Sequence, residues 1–488
     1  MNAPYDFLII GAGLVGCALA RALAHYNLRV GVVEENFDVG DGVSKGNSSI
    51  LHTGFDAKPG SLEARLVVEG HLLWREQAPE LGVPISSVGA VMLALDEEQL
   101  GSLDNYFLNA HKNGVTDVER LSREQVLERV PLANPAVRGG LWVPRESITC
   151  TFTAPIALAE HAAVNGAEFH LGERVIHSER VDDIYCVKTT RAEYHTRWLV
   201  NSAGLWGDEV AALMGKRSFT ITPRKGEFLI LDKSARAQVP HILLPVPTRI
   251  SKGILVAPTM NGNVLIGPTA EDVTDKRDLS VSEAGLARVR QGAFQLAPAL
   301  ANETVVATYS GLRPVGSTGD YIIEVDAECQ QVVTAGIRST GLSAALAIAR
   351  EVSRRLDSVG ALPAMKQTIT PRPRRAWTIG STRPCLDASY LQQNPAFGRI
   401  LCLCETVSEG EVVQALHAPI SVSTLDGIKK RTWATAGRCQ GFYCTAAILD
   451  VMSRELDVPL AALTKRGPGS ELIGVPIQHK NGNYATRG

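Results

Sequence analysis

Asp6-Phe7-Leu8-Ile9-Ile10-Gly11-Ala12-Gly13-Leu14-Val15-Gly16 decides the fold. An unbroken apolar run that meets glycines in a G-x-G-x-x-G spacing predicts a strand buried on both faces, a tight turn and the start of a helix. The helix-forming stretch continues to about Tyr26, and Arg29-Val30-Gly31-Val32-Val33 then reads as a second buried strand that ends at Glu34 and Glu35. Each glycine has a physical task in such a unit. Gly11 permits the turn, Gly13 lets backbone approach a pyrophosphate, and Gly16 allows the helix to close on the strand. The first turn of the helix presents free N–H groups and partial positive charge to phosphate. Glu34 lies 23 positions after Gly11, where it can accept a hydrogen bond from a ribose 2′-hydroxyl and would repel a 2′-phosphate. The pattern predicts dinucleotide binding, and NAD and FAD both satisfy it.

Working outward, the chain has 488 residues, 45 % of them hydrophobic and 20 % charged, with 49 basic against 51 acidic side chains. The length suits about three domains, or one large α/β unit with an appendage. The charge balance leaves no global basic field for nucleic acid or an anionic membrane. The charge-free stretch from Phe7 to Ala20 is too short to span a bilayer, and it lacks the basic leader of an export signal. No transmembrane segment, no nucleic-acid partner and a cytoplasmic, reducing setting are therefore expected, and nine cysteines at low density agree with that.

The middle of the chain reads as a largely antiparallel lobe. Asn261-Gly262 between two apolar arms is a hairpin signal, because both residues tolerate positive φ. Ser122 and Gln125 form a capping-box pattern, with Leu121 and Val126 as a staple and Pro131 as a stop. Gln331 to Gly336 returns to strand character, and Gly341 opens an Ala- and Leu-rich helix towards Arg355. Residues 361–399 hold five prolines among several arginines and are the linker candidate. A compact cysteine-bearing segment, 400–469, and a polar tail, 470–488, follow.

Small residues and hydroxyls in Ser44-Lys45-Gly46-Asn47-Ser48-Ser49-Ile50-Leu51-His52-Thr53-Gly54 offer a bed for a flat ring. With the fingerprint, this loop resembles the flavoproteins of the glycerol-3-phosphate dehydrogenase and L-2-hydroxyglutarate dehydrogenase group, within the D-amino-acid-oxidase-like class. Further similar motifs are Gly172-Glu173-Arg174-Val175, Asn201-Ser202-Ala203-Gly204-Leu205-Trp206 and Gly336-Ile337-Arg338-Ser339-Thr340-Gly341-Leu342. Pro223-Arg224-Lys225-Gly226-Glu227 and Gly311-Leu312-Arg313-Pro314 resemble its substrate-lobe motifs. The resemblance covers roughly residues 4–360.

The resemblance implies FAD as cofactor and an α/β (α+β overall) fold, with a Rossmann-type FAD-binding domain and an inserted, mainly antiparallel substrate lobe. It places FAD-binding parts at about 1–80, 145–215 and 325–360, and the lobe at about 81–144 and 216–324, within a domain spanning 1–360. Cofactor contacts are expected from Gly11, Gly13, Gly16, Glu34, Glu35, Ser44, Asn47, Ser48, Val175, Ala203, Gly204, Gly336, Ser339, Gly341 and Leu342. The dipole of the helix begun by Gly341 and Leu342 would favour negative charge on the reduced ring. Arg313 is the expected anchor for an anionic substrate group, since guanidinium binds carboxylate or phosphate through two parallel bonds. Lys225 and Arg224 are lesser candidates than Arg313, since basic residues on an edge strand are most often solvated, and Lys225 is counted with the catalytic residues. His52 either accepts the substrate hydroxyl proton or packs against the ring.

Cys402-x-Cys404 and Cys439-x₄-Cys444 are four potential thiolate ligands, for which zinc and iron–sulfur are the two main choices. The Cys-x-Cys pair fits structural zinc spacing poorly. The flanks, Cys402 to Val407 and Gly437 to Cys444, resemble the bacterioferritin-associated-ferredoxin-like module, a small helical domain with a [2Fe–2S] cluster. Together the resemblances imply a dehydrogenase that oxidises a small anionic 2-hydroxy compound, glycerol 3-phosphate first, by hydride transfer to flavin, with electrons leaving through the cluster. L-2-hydroxyglutarate comes next, then amino-acid or opine-type substrates. An electron-transfer subunit of a larger complex is the reading from another class. The implied partners are an electron-accepting subunit or a quinone-linked acceptor, which would bring the chain to the inner membrane only peripherally.

Overall fold

The opening apolar run folds as the strand Tyr5–Ile10, and the glycine turn leads into the helix Leu14–Ala24. This computed structural model describes residues 3–247 and 253–474 and divides into two compact units, residues 1–381 and 382–488.

In the first unit, Tyr5–Ile10 lies at the heart of an eight-stranded sheet, parallel to Val30–Glu34 on one side and to Glu193–Asn201 on the other. Glu168–Leu171 and Gln331–Ala335 extend the parallel set. Val175–Val181 and Ile184–Thr189 add an antiparallel ribbon at one edge. The helices Leu14–Ala24, Thr153–Val164 and Gly341–Ser358 pack together, with every residue of Val30–Glu34 buried beneath this arrangement. That burial is why the central strands read as continuous apolar runs. The glycine turn is sterically obligatory. Gly11 has φ +103°, and a Cβ on Gly16 would stand 1.9 Å from the Gly11 carbonyl oxygen.

A nine-stranded, mainly antiparallel sheet forms the inserted lobe. Its longest pair is Ile221–Leu231 against Val305–Gly316, in a register that sets Arg224 opposite Arg313. Leu255–Pro258 and Val264–Gly267 form the hairpin expected from Asn261-Gly262, with Gly262 at φ +85°. The capping box at Ser122 and Gln125 starts the helix Arg123–Arg129. The lobe returns to the first sheet earlier than the sequence suggests, since Ile322–Asp326 pairs with Gln331–Ala335.

The proline-rich stretch is not a free spacer. Residues up to 381 run over the first unit, where Arg372 Nε donates to Glu160 Oε2 at 2.7 Å and Nη1 to the Leu81 carbonyl at 2.7 Å. Arg375 joins the same carboxylate, and Thr370 N donates to Asn165 Oδ1 at 2.8 Å. Prolines fix an extended path without N–H groups to satisfy, and the arginines neutralise a carboxylate buried on the helix Thr153–Val164.

From residue 382 the chain belongs to the second unit, where Arg383 Nη1 donates to Glu411 Oε1 at 2.6 Å. Helices Glu409–Leu416, Leu425–Thr432 and Thr445–Leu456 enclose a core that includes Val412, Ile428, Ile448 and Met452. Among the described residues, no helix is long and apolar enough to cross a membrane.

Candidate functional site

A cavity of about 680 Å³ runs through the first unit from the glycine turn to the inserted sheet. At one end it is lined by Gly11, Gly13, Glu34 and Glu35. A Cβ on Gly13 would meet only Ser44 Oγ, at 3.4 Å, so its backbone is open to a ligand. Gly16 does not line the cavity; it serves the helix–turn contact described above. Glu34 is buried. Its Oε2 accepts from Ala12 N at 2.7 Å and its Oε1 from Asn36 N at 2.9 Å, so it ties the turn together while facing the cavity. Burial pushes its carboxyl above the ordinary range. Glu173 N donates to the Glu34 carbonyl at 2.8 Å, which brings Val175 into the same wall.

Ser44, Asn47 and Ser48 line the middle of the cavity. Ser44 Oγ accepts from Leu14 N at 2.8 Å, and Asn47 Nδ2 donates to the Ser44 carbonyl at 2.8 Å, which fixes this loop over the helix start. A Cβ on Gly311 would fall 2.0 Å from the Gly46 carbonyl oxygen, so the loop sits directly against the inserted sheet. Ala203, Gly204, Gly336, Ser339, Gly341 and Leu342 complete the wall, and the last two open the helix Gly341–Ser358. Two helix N-termini therefore face one cavity, each offering partial positive charge. Small residues, open backbone and phosphate-directed N–H groups fit FAD.

Of the three catalytic candidates, His52 and Arg313 line this cavity and Lys225 does not. Successive strand residues point to opposite faces. Arg224 therefore joins Arg313 at the cavity, while Lys225 turns away, its Nζ 2.8 Å from Asp278 Oδ2 and 3.0 Å from Ser280 Oγ. The expectation for Lys225 is corrected in favour of Arg224. Arg224 forks onto Asp272 at 2.6 and 2.9 Å, whereas Arg313 has no carboxylate in ion-pair range among the described residues and donates instead to the Thr269 carbonyl. Burial first, and Arg224 second, pull the Arg313 guanidinium down to about 10.

Glu146 carries no motif that marks it in the sequence. Its side chain is fully buried and holds His52, with Oε2 3.1 Å from His52 Nδ1. Its Oε1 accepts from Thr53 N at 2.7 Å and from Thr53 Oγ1 at 2.8 Å. His52 N also donates to Ser343 Oγ at 2.8 Å.

In the second unit the four cysteines form two pairs. Buried Cys402 meets Cys444, and outer Cys404 meets Cys439. Accepting from the Cys444 thiol, and from the Thr435 and Glu405 N–H groups, pulls the Cys402 thiol below the ordinary range despite its burial. The same contact drives Cys444 upward. N–H groups of Gly441 and Tyr443 point at Cys439. A single zinc ion needs four ligand atoms around one point. Yet among the described residues the ligand trio found within 4.8 Å of one another is Cys186, Glu193 and His195, not a set of these thiols. Two sulfur pairs with converging N–H donors fit a two-iron cluster.

A dinucleotide cavity closed by an inserted sheet that carries arginines defines a flavin-dependent oxidoreductase. Residues 6–355 match the model of the FAD dependent oxidoreductase family, and residues 400–454 that of the BFD-like [2Fe-2S] binding domain. The chain is 35 % identical over 475 residues to a glycerol 3-phosphate dehydrogenase of Caloramator mitchellensis, spanning 97 % of this chain and 99 % of that one. It is 30 % identical over 363 residues to the glycerol 3-phosphate oxidase of Mycoplasma pneumoniae, 72 % of this chain and 94 % of the relative. Among solved structures, the FAD-bound, dithionite-reduced L-alpha-glycerophosphate oxidase from Mycoplasma pneumoniae superposes with a TM-score of 0.72 at 27 % identity, covering 77 % of this chain and 100 % of that one. The chain belongs to the FAD dependent oxidoreductase family and carries a BFD-like [2Fe–2S] binding domain behind its flavin unit. FAD and a [2Fe–2S] cluster are its cofactors, and it oxidises a small anionic substrate.

Proposed function

We propose that the substrate is glycerol 3-phosphate, oxidised to dihydroxyacetone phosphate, and that electrons leave through the cluster to a partner subunit or a quinone-linked acceptor in the cytoplasm. The observation that carries this reading is Arg313, a half-buried cation with no carboxylate in ion-pair range among the described residues, on the wall that also presents His52, in a chain related over 97 % of its length to a glycerol 3-phosphate dehydrogenase. When bound, FAD takes up two electrons from the substrate and the cluster passes electrons singly.

Arg313 grips the anionic group by its guanidinium fork, and Arg224, whose charge is balanced by Asp272, lines the wall beside it with N–H groups. His52 removes the hydroxyl proton at Nε2, the nitrogen that Glu146 leaves free. Glu146 is a positioning residue, because it fixes the ring's orientation and keeps the proton on Nδ1. Gly341 and Leu342 place a helix N-terminus where negative charge would gather on the cofactor.

Anaerobic flavin bleaching by glycerol 3-phosphate, L-2-hydroxyglutarate and a panel of amino acids tests the assignment. Fastest bleaching by glycerol 3-phosphate supports it. Faster bleaching by hydroxyglutarate transfers the assignment to that acid, and none at all points to a relay subunit.

A further inference from the structure

The antiparallel ribbon at the edge of the first sheet carries a second group of ligand-bearing side chains, none of which lines the cavity. Across its three strands, Glu179 stands opposite Cys186, and Cys186 opposite His195. The next row sets His177 opposite Lys188, and Lys188 opposite Glu193. Residues two apart on a strand share a face, so both rows lie on one side of the ribbon. The thiol of Cys186, a carboxylate oxygen of Glu193 and a ring nitrogen of His195 all lie within 4.8 Å of one another. His195 Nε2 is 3.7 Å from Glu193 Oε1, and His177 Nε2 is 3.7 Å from Glu179 Oε2.

We propose that this face binds one zinc-class divalent ion through Cys186, Glu193 and His195, with Glu179 as the fourth ligand. Thiolate, imidazole and carboxylate together make a borderline-soft donor set, which suits zinc and excludes the hard ions magnesium and calcium. The strand ladder fixes the backbone positions of the ligands, so side-chain rotation alone closes the set around an ion. The His195 and Glu193 side chains are 39 % and 46 % exposed, so an ion reaches them from solvent. Coordination releases the Cys186 thiol proton to solvent, involves no change of oxidation state, and replaces the 3.8 Å contact between Lys188 and Glu193. The bound ion would cross-link three strands. One of these begins at Val175 in the cavity wall, and another leads into Ser202-Ala203-Gly204. Its role is to clamp the ribbon that supports one side of the dinucleotide site.

The test is calorimetric titration of the full chain, loaded with FAD and cluster, with zinc chloride. A single site with a dissociation constant below about 1 µM is expected. C186S and H195A should each weaken it at least roughly tenfold, as loss of a ligand or its support does. His417→Ala, which removes a histidine paired with Glu455 on another surface, should leave it unchanged. Zinc should raise the melting temperature of the wild-type chain and not that of C186S. Cobalt difference spectra of the wild-type chain read the thiolate directly, without relying on any variant. Weaker binding, a site that survives both substitutions, or a cobalt complex without a thiolate band overturns the proposal.

Discussion

Glu146→Gln is the substitution that most directly tests how His52 is held. The side chain keeps its size, so packing around this fully buried position is preserved. The Thr53 N–H and hydroxyl both donate to Oε1, at 2.7 and 2.8 Å, and a glutamine keeps its carbonyl oxygen there. Its amide nitrogen then faces His52 Nδ1, which is 3.1 Å from Oε2 in the wild-type chain. An amide N–H donates, so Nδ1 must become an acceptor and the ring proton moves to Nε2. The nitrogen facing the cavity can then no longer take a proton. The lost charge-assisted hydrogen bond alone is worth about 1.5–3 kcal/mol, or roughly 10- to 150-fold in rate. Loss of a positioned base is worth about 10²–10⁴-fold. Anaerobic stopped-flow bleaching of the flavin should therefore slow by at least about 10²-fold in E146Q, with FAD content and KM little changed. E146D should recover part of the rate, and E146Q should add nothing in an H52Q background, since the two residues act as one unit. Bleaching in E146Q within about threefold of wild type would refute the argument. So would an equal loss in the H52Q background.

Arg313→Ala should retain FAD and lose the charged contact worth about 1.5–3 kcal/mol, seen as roughly 10- to 150-fold in kcat/KM and mostly in KM; unchanged kinetics remove Arg313 from the site. Lys225→Met should leave kcat/KM within about threefold while lowering the urea midpoint, because Lys225 serves Asp278 and Ser280 rather than the cavity. Replacing Cys402 and Cys404 with Ser should abolish the cluster's paramagnetic signal and turnover with the natural acceptor, while a dye reduced directly by flavin still works. Acceptor-linked turnover that persists would make the cluster dispensable. Burial first, with Arg21 adding repulsion, brings His25 and His161 from 6.5 down to about 4. Between those values the unfolded chain binds protons that the folded chain refuses, so stability is full above about pH 6.5 and falls as pH drops towards 4. Urea midpoints measured across that window should show the loss, and a flat profile would contradict it.

Sequence alone determined whatever depends on neighbours along the chain. The apolar run to Ile10, the glycines at 11, 13 and 16, and Glu34 at the end of the next strand specify a local strand–turn–helix–strand unit, and its geometry follows from short-range sterics. The cysteine pairs and their flanks mark the cluster module for the same reason. Tertiary structure alone decided the contacts between distant positions. The two-residue period of the strand Ile221–Leu231 shows that Arg224 and Lys225 part company, but only the pairing with Val305–Gly316 shows which of them meets the cavity. Prolines made residues 361–399 look like a spacer, because the carboxylate that claims Arg372, Glu160, lies 212 positions earlier. Glu146 lies 94 positions from His52 and carries no local mark, since a buried hydrogen bond between distant residues leaves no periodicity in the sequence. Likewise, the spacing of the cysteines could not reveal that Cys402 pairs with Cys444 and Cys404 with Cys439, because that choice is made where the strand Ile400–Cys402 and its following turn pack against the turn that leads into the helix Thr445–Leu456.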